Sequence, residues 1–241
     1  MSDWNSLFAE GRHIAQFPRP EVLEFLARVE ATFAERPLRI WDLCCGAGRH
    51  TLVFAKAGHA VFASDAAPNG IARTRDLLAA HGVSANLAVA DMTSSPWPGL
   101  QYHGVLSWDS LHHNRLEATK HTVSLVHEQL IPGGLFLATL KSSKADSFGC
   151  GTELEPGTYV RGTGDESGVP HHFFDESGVR SVFANWELLV LVEQIMDYKE
   201  RGDCFAESNP FPYTRWGILA RKAARPDARG RQSNMTSGQR Q

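Results

Sequence analysis

Residues 38–50 read Leu-Arg-Ile-Trp-Asp-Leu-Cys-Cys-Gly-Ala-Gly-Arg-His. The first six residues form an apolar run of strand length, and Gly46 and Gly48 break it into a turn. A buried strand that empties into a glycine turn and then a helix opens a βαβ unit. The pattern continues on both sides. Upstream, Val22, Leu26, Val29 and Phe33 fall at helical spacing after Pro20, which suits a first turn. Downstream, helical stretches at 51–56, 68–81 and 116–130 alternate with strand-like runs at 60–63, 86–90, 104–107 and 135–140. Strands alternating with helices predict right-handed crossovers and a parallel sheet.

After residue 140 the rhythm breaks. Residues 142–172 are rich in Gly, Ser, Thr and acids with no clear period, as in a functional loop. A short helix over 175–185, capped by Asp175, and strands at 186–192 and 213–220 follow. The predicted organisation is an N-terminal helical lid or extension over 1–36 and one α/β domain over 37–222. That domain carries the irregular insertion 142–172, and a disordered basic tail fills 223–241.

At 241 residues the chain suits one domain with a sizeable core. No basic start followed by an apolar stretch marks a signal peptide, and no run approaches a membrane span. Cys44, Cys45, Cys150 and Cys204 contain no C-x-x-C pair, so a reducing cytoplasm is the expected setting. The net charge of -3 argues against a nucleic-acid binder. The tail from Arg221 holds six basic residues and one acid, so the folded body is more acidic than the total suggests. No nucleic acid and no membrane are expected as partners, and the oligomeric state is left open.

Ligands of open parallel sheets bind beyond the carboxyl ends of the strands. Successive strands here end in Asp42, Asp65, Asp91 and Ser107-Trp108-Asp109. A carboxylate after the second strand can accept both hydroxyls of a ribose, and Asp91 could accept from an exocyclic amine. Asp65 could instead cap a helix and Asp91 a short turn. Cys44 and Cys45 also read as small buried residues. A P-loop is excluded because no Gly-Lys-Ser/Thr follows the turn, and a nicotinamide fingerprint lacks its third glycine at Thr51.

From about 38 to 140 the chain resembles the class I S-adenosylmethionine-dependent methyltransferases. It resembles more loosely the small bacterial tellurite- and thiopurine-type enzymes. DLCCGAGRH is similar to the family's glycine-rich turn, with Cys44 where the first glycine usually stands. FASDAAP matches the ribose-binding acid, AVADM the adenine-contacting pair, and VLSWDSLHH the fourth strand. The resemblance implies a Rossmann-like, seven-stranded, mostly parallel α/β sheet flanked by helices, with an antiparallel seventh strand. It implies S-adenosylmethionine as cofactor, held by Asp42, Cys44, Gly46, Gly48, Asp65, Ala66, Asp91, Met92 and Ser107. S-adenosylhomocysteine would be the product.

The acceptor would be a small molecule, methylated by in-line displacement. His113 and His172 are the catalytic candidates, with Arg12, His112, Tyr159, Arg161 and His171 on the substrate side. Neighbouring residues point in different directions, so each histidine pair should offer one ring. Neither pair has the i, i+3 or i, i+4 spacing of a helical metal site, so no metal is expected. A nicotinamide-dependent oxidoreductase and a non-catalytic cofactor-binding protein remain the alternatives.

Overall fold

A computed structural model describes residues 4–196 and 213–224. The glycine turn sits where the sequence places it. Strand β1 (Arg39–Leu43) ends in Cys44, and helix α3 (Arg49–Lys56) starts directly after Gly48. The chain continues through β2 (Ala60–Asp65), α4 (Pro68–Ala80), β3 (Asn86–Val89), β4 (Tyr102–Ser107), α5 (Leu116–Gln129) and β5 (Leu130–Ser142). Ahead of them lie α1 (Trp4–Ala9) and α2 (Pro20–Thr32), and α2 has Pro20 in its first turn. Strands β9 (Glu187–Met196) and β10 (Tyr213–Arg221) close the sheet.

The main path of the sheet is β3-β2-β1-β4-β5, with β10 on the far side of β5 and β9 beyond it. The pairs within the first five strands are parallel, and β10 runs antiparallel to both neighbours. This is the expected α/β architecture with its antiparallel seventh strand. Alternation along each strand divides the core in two. Trp41, Val105, Phe136 and Ala138 pack with α5 and with α6 (Glu176–Val182). Ile40, Leu106, Leu135 and Leu137 pack on the opposite face against α2 and α3. Each large side chain so buried contributes about 1.5–3 kcal/mol, and the pleat supplies both faces from one strand.

The insertion corrects the sequence reading. Three short strands run through it: β6 (Thr152–Glu155), β7 (Thr158–Val160) and β8 (Pro170–Phe174). They pair antiparallel in that order. Strand β8 then joins β5 in parallel, with Lys141 opposite Phe173 and Ser142 opposite Phe174. Lys141 also pairs with Arg215 of β10, so β8 must lie on the β4 side of β5, beyond the point where β4 ends. The insertion is therefore a small sheet overhanging the carboxyl end of β4. Helix α6 is shorter than the sequence suggests, and Asp175 caps it by accepting from the Gly178 N–H. Lys222 donates to the Leu130 carbonyl at 2.7 Å and pairs with Gly133 and Gly134. The basic-tail assignment, 223–241, lies outside the described residues from 225 onward.

Candidate functional site

Cys44 has φ of 61°, Gly46 56° and Gly48 83°. The turn thus adopts left-handed backbone at alternate positions, which glycine tolerates best and which explains the family's glycine at position 44. Tight packing adds a second constraint. A Cβ at Gly48 would lie 2.7 Å from Thr74 of α4, and one at Gly46 would lie 3.2 Å from the Phe8 ring. Asp65 reads the turn directly. Its Oδ2 accepts from the Gly46 N–H at 2.8 Å and its Oδ1 from the Ala67 N–H at 2.8 Å. Each oxygen keeps a further lone pair, while burial raises the Asp65 pKa.

Asp42 is fully enclosed and accepts from the Thr51 hydroxyl at 2.6 Å. Burial pushes its pKa up to about 6, against the pull of that hydrogen bond. Burial also raises both thiols, Cys44 and Cys45, which keeps them protonated and poor nucleophiles. Ser107 is buried and pairs its hydroxyl with Ser110 at 2.8 Å. Ala66 lies exposed beside Asp65, and Met92 packs at the edge of the core. Asp91 caps its own turn, accepting from the Thr93 N–H and hydroxyl at 2.9 and 2.6 Å. That is the alternative reading of Asp91, although its second oxygen is not engaged in that turn.

The overhang assembles a second group of side chains. His113, in the turn after β4, points Nε2 at Glu166 Oε1, 3.6 Å away. His171 of β8 places Nε2 at 3.0 Å from Glu166 Oε2, and its Nδ1 lies 3.0 Å from the Val169 carbonyl. Arg161 donates to the same Oε2 at 2.8 Å. Burial would raise Glu166, but the His171 hydrogen bond and the neighbouring cationic groups hold it well below the usual range. Burial drives His113 down to about 3 and holds His112 well below its ordinary range, so both rings are neutral at pH 7. Lys141 stands at the same strand end, its pKa lowered by burial.

The first helix covers this group. The Trp4 ring lies 5.1 Å from the His113 ring and 5.2 Å from His13. Arg12 and His13 both pair with Asp165, joining the N-terminal segment to the insertion.

Residues 40–134 match the family model described as a methyltransferase domain. Among curated proteins, none matches the chain in sequence. Several solved structures share its fold. A SAM-dependent methyltransferase from Methanosarcina mazei superposes with a TM-score of 0.68 at 14% identity, covering 87% of this chain and all of the other. TehB from Haemophilus influenzae gives 0.63 at 18%, over 91% of this chain and 67% of that one. The 1,6-didemethyltoxoflavin-N1-methyltransferase of Burkholderia thailandensis gives 0.63 at 20%, over 92% and 86%. At these identities the likeness is one of fold.

By that match, residues 40–134 form a methyltransferase domain. In that domain the cofactor candidates Asp42, Cys44, Gly46, Asp65 and Ser107 converge on one rim, while Asp91 and Met92 stand farther along it. The histidines divide differently from expectation. His112 and His113 both lie against His171, with ring centroids 6.0 and 4.8 Å away, because residues 109–113 turn instead of extending. His172 does not join them. Alternation along β8 sends its ring the other way, where Nδ1 meets the Thr158 hydroxyl at 2.7 Å and the ring packs 4.4 Å from Phe174. His171, and not His172, therefore lies beside His113. Tyr159 meets Phe148 edge-on at 5.3 Å and Phe173 edge-on at 6.0 Å. Sequence reasoning missed Glu166 and Lys141. The signal for Glu166 was an acid in a loop five residues before a flagged histidine; Lys141 carried none.

Proposed function

We propose that the protein transfers a methyl group from S-adenosylmethionine to a small-molecule acceptor. The observation that carries this reading is the contact between Asp65 and the Gly46 N–H, set beside the His113–Glu166–His171 group under the insertion. The residues fit the cofactor. The left-handed turn, with Thr74 against Gly48 and Phe8 against Gly46, presents backbone in place of side chains, and Asp65 retains lone pairs for ribose hydroxyls. Asp42, Cys44, Gly46 and Gly48 would hold the methionine part, Asp65 and Ala66 the ribose, Asp91 and Met92 the adenine, with Ser107 beneath. When bound, the sulfonium supplies an already activated methyl carbon. The chain's task is alignment of nucleophile, carbon and leaving sulfur. His113 and His171 would hold the acceptor atom in line, with His112, Tyr159 and Arg161 as walls and Arg12 in the lid. Any acceptor proton would leave towards this group.

A small acceptor is supported by the two segments that meet over the group, Arg12 and His13 on one side and Asp165 on the other. It is also supported by the Burkholderia thailandensis structure, which holds a small heterocycle with S-adenosylhomocysteine. No helix among the described residues is long and apolar enough to cross a membrane. We read the setting as cytoplasmic, in keeping with the free thiols of Cys44, Cys45 and Cys150. Isothermal titration with S-adenosylmethionine and S-adenosylhomocysteine tests the proposal. Heat from both is expected; heat from neither overturns it. A panel of thiol, amine, hydroxyl and chalcogen-anion acceptors, followed by S-adenosylhomocysteine release, then separates an enzyme from a cofactor-binding protein.

A further inference from the structure

We propose that His113, Glu166 and His171 form a binding site for one divalent transition-metal ion on the acceptor side of the domain. The inference rests on the reading of that side given above. One ligand atom from each residue lies within 4.8 Å of the other two, and the closest pair, His171 Nε2 and Glu166 Oε2, is 3.0 Å apart. Ligands about 2.0–2.2 Å from a tetrahedral ion sit roughly 3.4 Å from one another, so the 3.0 and 3.6 Å separations of the two histidines from Glu166 bracket that spacing, and the three atoms need only small side-chain shifts to share one ion.

The hydrogen-bond arrangement at His171 gives the stronger argument. Its Nδ1 lies 3.0 Å from the Val169 carbonyl, which can only accept, so Nδ1 carries the hydrogen. In a neutral ring Nε2 is then a bare lone pair. It faces Glu166 Oε2, an ionised carboxylate oxygen that is also an acceptor. Two acceptors at that distance require a positive charge between them, either a second proton on His171 or a metal ion. The neighbouring His113 Nε2 points at the other oxygen of the same carboxylate, 3.6 Å away. Two imidazole nitrogens converging on one carboxylate are the donor set of a metal centre. The outer contacts match as well. A backbone carbonyl orients His171 and Arg161 steadies Glu166, as partners of metal ligands commonly do.

The donor set also selects the ion. Two imidazoles and one carboxylate suit Zn²⁺, Co²⁺ or Fe²⁺, and the nearby Lys141 and Arg161 charges disfavour hard cations that need several carboxylates. Three protein ligands leave a position open. That position would be open to a hydroxyl or thiol of the acceptor, whose proton would pass to solvent as its oxygen or sulfur bonds the methyl carbon and the bond from that carbon to the sulfonium breaks, releasing S-adenosylhomocysteine. The sequence hid this site because its ligands come from the turn after β4, the insertion loop and β8, with no helical spacing among them.

The test is direct metal binding by the full chain. Protein stripped with a chelator is titrated with Zn²⁺, and with Co²⁺ followed by its visible absorption. One equivalent per chain is expected. Glu166→Gln and His171→Ala should each weaken it by more than about 100-fold, beyond the 10–100-fold that outer partners cost. His121→Ala, whose ring bonds the Thr93 carbonyl elsewhere, should not. S-adenosylhomocysteine titration of every variant checks folding independently of the metal. Protein that binds S-adenosylhomocysteine but neither ion overturns the site and leaves the proposed function standing. Uptake that is equal in wild type and both ligand variants also overturns it. Uptake of one ion that depends on Glu166 and His171, without binding of either cofactor form, supports the site and overturns the proposed function instead.

Discussion

Asp65 spends one lone pair of each oxygen on the backbone of Gly46 and Ala67 and has one left on each for a ligand. Asp65→Ala should therefore weaken S-adenosylhomocysteine binding by about 1.5–3 kcal/mol, the worth of charge-assisted hydrogen bonds. Asp65→Asn, which keeps one accepting oxygen, should fall between, and isothermal titration ranks the three. Asp42 plays a different part. Its folded pKa of about 6 stands above its ordinary value of 3.8. Folding therefore takes up a proton between these values, and the favourable contribution present below pH 4 is lost as pH rises to about 6. Above that the buried charge costs up to about 3 kcal/mol. Asp42→Asn, which can still accept from Thr51, should match wild type near pH 4 and exceed it in thermal stability at pH 7–8. Paired melts across pH measure this. Asp42 and Asp65 were legible because each ends an apolar run beside a glycine or small-residue turn. Glu166 was not, since nothing in a Gly-rich loop reports which strand end it will reach.

The elements of the core were readable from period and punctuation, and the insertion was not. Thr152–Glu155 has one apolar residue, Leu154, and is exposed at its first three positions, so it shows no alternation, and Thr158–Val160 is too short to show any. What orders them is tertiary. Glu155 accepts from the Leu116 N–H at 2.8 Å and from the Thr158 hydroxyl at 3.0 Å. Helix α5 has no side-chain cap of its own at Arg115, so the hairpin supplies it. Glu155→Ala should cost about 1 kcal/mol, the usual worth of a helix cap, and raise hydrogen exchange at the start of α5. The contact between Arg12, His13 and Asp165 is the corresponding joint on the other side of the insertion. Asp165→Ala should speed exchange over residues 4–13 and raise KM for the acceptor more than the Kd for S-adenosylhomocysteine. Equal effects on both would place the joint elsewhere.

Across the whole molecule, Arg215 ties distant parts together. It is fully buried, bonds Asp109 at 3.2 Å and Gln194 at 3.1 Å, approaches Glu21 of α2 at 3.6 Å, and lies over the Trp108 ring. Asp109 has φ of 51°, a conformation asparagine tolerates, so Asp109→Asn isolates the loss of charge from backbone strain. Leaving Arg215 without that partner should cost about 3 kcal/mol, as for other broken buried pairs, read by denaturant unfolding. The joining of α2, the β4 turn and β10 at one guanidinium was beyond the sequence, because pairing across 106 residues leaves no local trace.

The segment that begins at Trp4 lies against both halves of the rim. Phe8 rests on Gly46 and Gly70, while Trp4 rests on His113. On the proposed function, a single short stretch of chain would stand over the methionine part of the cofactor and over the acceptor together. Departure of either product would then require displacing it, so the two departures would share one clock. Removal of residues 1–13 should quicken S-adenosylhomocysteine dissociation in stopped flow, and turnover in the intact chain should be paced by this uncovering rather than by the bond exchange itself.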